Sequence, residues 1–214
     1  MLKFISNKKG IMGLTMSQIG LFIATGIIIS AVFSFIYLSD FNRKEEIDNI
    51  GNSFTNYVSA MDSKFFENRS RYFFKDYDFD YKVFLSSEYI VVEKYESWNN
   101  VLTSRKTFLK KTLIRHFDPS WKSCEEMHSY LKSNFIYFGN KSKPIGQDKI
   151  DDVKEYFDLE QINANYNFAK NPFKIDLSKP VFIEKAYVFY DTDDDKIWEK
   201  ENDEKEDLIL IYQK

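Results

Sequence analysis

The chain has 214 residues, 43% of them hydrophobic and 18% aromatic, with a formal net charge of −3. That balance, with no Lys/Arg cluster of the kind that tracks phosphates, argues against a nucleic-acid partner. A single cysteine, Cys124, excludes an intramolecular disulfide, so the fold must rest on packing or on a metal ion.

Residues 11–39 carry no Asp, Glu, Lys or Arg, although 29% of the chain is charged. As a helix, residues 19–38 span roughly 30 Å, the hydrocarbon thickness of a bilayer. Strongly apolar residues from Ile19 to Leu38 contribute roughly −4 to −7 kcal/mol to insertion. A buried helix of a soluble core would show a polar stripe, and this one is apolar all round. The segment therefore reads as a membrane anchor. Lys3, Lys8 and Lys9 precede it, whereas Arg43 and Lys44 lie beyond it; the short N-terminal end is expected in the cytoplasm and everything after Asp40 outside. No small-x-small site closes the apolar run, which sets it apart from a secretory signal peptide. Within the span Gly26, Ser30 and Ser34 recur every four residues, the interval that lets a second helix approach closely in lipid.

Lys8-Lys9-Gly10 directly before this helix resembles the class III leader of archaeal type IV pilin-like proteins. In that family a prepilin-peptidase-type enzyme cuts after the glycine. The resemblance covers about the first 65 residues and implies cleavage between Gly10 and Ile11, with the apolar helix at the new N-terminus. It also implies assembly with like or related subunits through that helix. The sequence departs from the family pattern at the third and fifth positions after the cut. These are Gly13, where archaeal pilins often have Gln, and Thr15, where bacterial pilins have Glu. An uncut start resembling the anchored accessory proteins of the archaellum is the alternative.

Beyond Ser39 the stripe Ile47, Ile50, Phe54, Tyr57, Met61 and Phe65 advances by three or four, marking an amphipathic helix over residues 40–67 that continues the anchor. Residues 68–76 read as a turn. Alternation over residues 77–85, then the Ser86-Ser87 turn and residues 89–92, predicts a β-hairpin, with a third strand within residues 101–113. The dense aromatics read as the packing face of this sheet. Asp118-Pro119 predicts a helix start, and Trp121, Cys124, Met127 or His128, and Leu131 fall on its buried side. A short strand is expected at residues 135–138, a short helix around Ile150, Val153, Tyr156 and Phe157, and a loop over residues 163–180. Strands at residues 181–190 and 208–212 close the chain. The expected fold class is α+β: leader 1–10, transmembrane helix 11–39, stalk helix 40–67, and an antiparallel-sheet head with short helices over residues 68–214.

Little of this points to an enzyme: there is no P-loop, no G-x-S-x-G and no H-E-x-x-H. His116 and His128 are too few for a zinc site, and Cys124 shares an apolar helix face with His128, which packing explains. Between the last two strands ten carboxylates face three lysines over residues 191–207. Asp191, Asp193 and Asp195 occupy positions 1, 3 and 5 of an EF-hand-like Ca²⁺ loop, but position 6 is Lys196 rather than Gly, and position 12 is Asn202 rather than Glu. The reading favours a solvated acidic turn without a cofactor, with Ca²⁺ as the alternative. Asn68 and Asn140 head N-glycosylation sequons in expected loops. The functional expectation is a non-enzymatic, pilin-like surface protein, single-pass in the cell membrane. A non-polymerising anchored binding or sensor module is the alternative.

Overall fold

The computed structural model describes residues 8–76, 80–97, 100–108, 113–114 and 121–214. These residues divide into two compact units, one ending at Glu45 and one beginning at Glu46. A single helix, α1 (Lys8–Asp62), runs through that boundary without a break at Asp40. It contains no proline, and between Ile19 and Leu38 its glycines are Gly20 and Gly26. In the first unit every large apolar side chain from Ile19 to Leu38 is exposed.

The second unit is α+β. Its strands are β1 (Asn68–Tyr72), β2 (Tyr81–Leu85), β3 (Tyr89–Ser97), β4 (Asn100–Thr107), β5 (Leu113–Ile114), β6 (Phe173–Lys174), β7 (Val181–Tyr190) and β8 (Glu204–Tyr212). Among the described residues they form two four-stranded sheets, ordered β1-β7-β8-β5 and β4-β3-β2-β6. Every pair is antiparallel except β5–β8, which is parallel. The Ser86-Ser87 turn forms as expected, with Ser86 Oγ accepting from the amides of Glu88 and Tyr89.

Side-chain alternation in β7 and β8 sorts the core into two layers. Val181, Ile183, Ile209 and Ile211 face Ile47, Ile50, Phe54, Val58 and Met61 of α1, together with Val83, Leu85, Ile90 and Val92 of the other sheet. Phe182, Ala186, Val188, Leu208 and Leu210 face the opposite way, against helices α2 (Cys124–Phe135) and α3 (Ile150–Lys170). With both faces covered, β7 reads as an almost unbroken apolar run, as central strands do.

Several expectations are corrected. Helix α1 ends at Asp62, so Phe65 is 92% exposed instead of extending the stripe, while Val58 joins the core. Residues 68–72 are strand β1 rather than turn, paired to β7 through Asn68↔Lys185 and Tyr72↔Val181; Asn68 is thus a strand residue. The Asp118-Pro119 helix start lies outside the described residues. Helix α2 begins instead at Cys124 behind Ser123, whose side chain accepts from the Glu126 amide at 3.3 Å. Residues 135–138 make no strand, because Ile136 turns left-handed (φ 75°) and ends α2 with its amide bonded to Lys132 O. Helix α3 has 21 residues and consumes the first part of the loop expected from residue 163. Strand β8 starts four residues earlier than expected, at Glu204.

Candidate functional site

Three features of the described residues could bear function, and the exposed apolar part of α1 is the first. Around its helix Phe22, Phe33 and Phe35 are each at least 68% exposed, and an 18-residue window reaches a mean hydropathy of 2.4 with none of it buried. A Cβ added at Gly20 or Gly26 would meet nothing within 4 Å. Thr25 Oγ1 donates to Leu21 O at 2.8 Å, which satisfies a polar group within the helix. Length and composition allow this helix to cross a bilayer or to lie against other apolar helices. Gly10 and Ile11 fall in its first turns, and Gly26, Ser30 and Ser34 share one exposed strip.

The second feature is a side-chain trio that the sequence reading did not assemble. Glu67, from the segment after α1, meets Cys124 and His128 of α2, with one donor atom from each lying within 4.8 Å of the others. The spacing of Cys124 and His128 on one helix face was visible in sequence, whereas Glu67 is separated from them by strands β1 to β5. His128 Nδ1 donates to Phe138 O at 2.7 Å, which turns Nε2 toward Glu67 at 3.6 Å. The neighbouring His128 ring holds the Glu67 carboxyl below its ordinary range, against burial that would raise it. Burial, then the charges of Glu67 and Glu184, push the Cys124 thiol far above its ordinary value. A thiol that resists ionisation is a poor metal ligand and a poor nucleophile. Among the described residues His128 Nε2 has no hydrogen-bond partner, its 3.6 Å approach to Glu67 being longer than a hydrogen bond. His116 lies outside the described residues.

The third feature is the β7–β8 connection, where Asp191, Asp193 and Asp195 do converge, with one carboxylate oxygen from each within 4.8 Å of the others. Asp191 directly follows β7 and is 2% exposed, and the chain before α3 lies along the strand end: Ile145 donates to Phe189 O and accepts from Asp191 N, each at 2.8 Å. Lys196 donates its amide to Asp191 Oδ2 at 2.7 Å and adopts φ 69°. That is the left-handed turn for which position 6 normally uses Gly, here adopted by a lysine. Ile197 N bonds Asp195 Oδ1 at 2.7 Å. The far side of the loop is clamped by Asp203, which accepts from Thr192 N at 2.8 Å and Glu199 N at 2.7 Å. Trp198 packs edge-on against Phe189 and donates its indole N–H to Glu204 O. Burial, then the charge of Asp195, raises the Asp193 carboxyl above its ordinary value. The expectation of a wholly solvated turn therefore fails at Asp191.

Asn140 closes a tight turn, its side chain accepting from Lys143 N at 2.9 Å, while Asn68 is half-buried in β1. Comparison with protein-family models, with curated proteins and with solved structures finds no match.

Proposed function

We propose that the chain is a non-enzymatic, type IV pilin-like surface protein that assembles through its apolar N-terminal helix and displays the β-rich unit outside the cell. The observation that carries this reading is the fully exposed apolar surface from Ile19 to Leu38, on a helix that continues without interruption into the core of an α+β domain. Such a surface is sequestered either by lipid or by other helices, and a pilin-like subunit uses both in turn. The lysines at positions 3, 8 and 9 favour a cytoplasmic start and an extracytoplasmic head. Gly13 and Thr15 favour the second reading, an uncut single-pass module whose head binds a ligand and does not polymerise.

Cysteine crosslinking in membranes tests assembly, since Cys124 is buried and leaves the background low. Ser30→Cys, on the strip with Gly26 and Ser34, should give a disulfide-linked dimer under mild oxidation. Ile28→Cys, on the opposite face, should give much less. Equal yields from both positions would remove the small-residue strip as the packing face.

A further inference from the structure

We propose that Asp191, Asp193 and Asp195 form a Ca²⁺ site that fastens the β7–β8 connection. A group of carboxylates on a surface loop is ordinarily no more than a solvated turn, and what separates this one is Asp191. Its residue is 2% exposed, and among the described residues Oδ1 has no hydrogen-bond donor. From outside the loop the Ile145 segment pairs along the end of β7 and bonds the Asp191 amide. A buried carboxylate oxygen needs a donor or a cation, and Asp191 brings a carboxylate oxygen within 4.8 Å of oxygens from Asp193 and Asp195.

The geometry suits a hard ion. Oxygens bound at about 2.4 Å from one centre lie at most about 4.8 Å from each other, and the three carboxylate oxygens meet that limit. The amide of Lys196 occupies Asp191 Oδ2, leaving Oδ1 as the free ligand atom. A cavity of about 390 Å³ lined in part by Asp191, Asp194 and Lys196 opens beside the loop. The same cavity is also lined by Lys132 and Lys143, whose charges oppose a cation. Position 12 is Asn202, and the Asp203 carboxylate is spent on Thr192 N and Glu199 N, so no bidentate carboxylate completes the shell. Backbone carbonyl and water must fill the rest, which places the affinity at about 10⁻⁴ to 10⁻³ M, the range of extracellular modules.

The test uses the full chain in detergent micelles, with Tb³⁺ as a luminescent probe excited through Trp198 in the same loop and Ca²⁺ as competitor. Thermal melting in Ca²⁺ and in chelator supplies a second readout that does not depend on energy transfer. Saturable emission displaced by Ca²⁺ at about 10⁻⁴ to 10⁻³ M is expected, with a melting midpoint that rises in Ca²⁺ and falls back in chelator. Asp193→Asn, at an exposed position where folding is not at stake, should weaken Ca²⁺ competition about tenfold or more and abolish the midpoint shift. Glu201→Gln, exposed in the same connection but outside both the trio and the cavity lining, should keep both responses. A midpoint indifferent to Ca²⁺, or an Asp193→Asn variant that responds like the parent, overturns the site. Either result reads the same whether or not the N-terminus is processed.

Discussion

Lys185 is 1% exposed on β7, facing the end of α1. Its ammonium donates to Asp62 O at 2.9 Å, to Asp62 Oδ1 at 2.8 Å and to Asp207 Oδ2, so one charge closes the C-terminus of α1 and joins two adjacent strands to it. A cation at a helix C-terminus is favoured by the aligned peptide dipoles. Lys185→Met should therefore destabilise the fold by about 1–3 kcal/mol, since it removes charged hydrogen bonds but leaves carboxylates that reach water. Burial pulls the ammonium below its ordinary range, and the bonds to Asp207 and Asp62 more than reverse this, leaving it raised. A raised lysine contributes stability that is fully present below about pH 10.4, the unfolded value, and is lost as pH rises through the folded one. Tyr190 and Tyr212, also raised by burial, add to the same alkaline loss. Urea titrations across that window should show a shallower fall in Lys185→Met than in the parent; an unchanged fall would mean that the ammonium is not the group responsible. Nothing in the sequence singles out Lys185, because its value comes from Asp62, 123 positions away. Asp191 differs: spacing marked it, but its pairing with the Ile145 segment has no local signature.

At the scale of elements, the legible parts were those with an unbroken period. The α1 stripe from Ile47 to Met61, the hairpin around Ser86 and the apolar run of β7 each follow from side chains meeting one environment at a regular interval. Strand β1 was hidden because it reads Asn-Arg-Ser-Arg-Tyr. It sits at a sheet edge, where Arg69 and Arg71 cover the Phe182 ring at 4.6 and 5.5 Å instead of burying apolar side chains. Helix α3 was cut short in the reading because Asn163, Asn165 and Asn167 are poor helix formers, and Leu159, Ile162 and Tyr166 along it are exposed. The end of α2 was mistaken for a strand because Ile136 is β-branched, yet it is 80% exposed at φ 75°. A left-handed conformation costs a non-glycine residue about 1–2 kcal/mol, and the extra backbone entropy of glycine returns about 0.5–1 of that. Ile136→Gly should accordingly stabilise the protein by about 0.5–1 kcal/mol in a denaturant titration. A loss of stability would show that the isoleucine side chain packs more than its exposure indicates.

For the molecule as a whole, the apolar helix was the plainest signal in the chain, since 29 consecutive residues without a charge admit few environments. The order of strands was not legible: β1 and β5 flank β7 and β8 in one sheet although long stretches of chain separate them. Such pairings depend on contacts that no local pattern records. What the exposed helix does in the cell turns on the basic pair and glycine that precede it. The measurement that tests the pilin-like account most directly is intact mass and N-terminal peptide analysis of the protein extracted from membranes of cells that express the matching peptidase. The account predicts a chain that begins at Ile11, with residues 1–10 removed. A membrane-bound protein that retains the residues before Ile11 would contradict it and leave a single-pass anchored module.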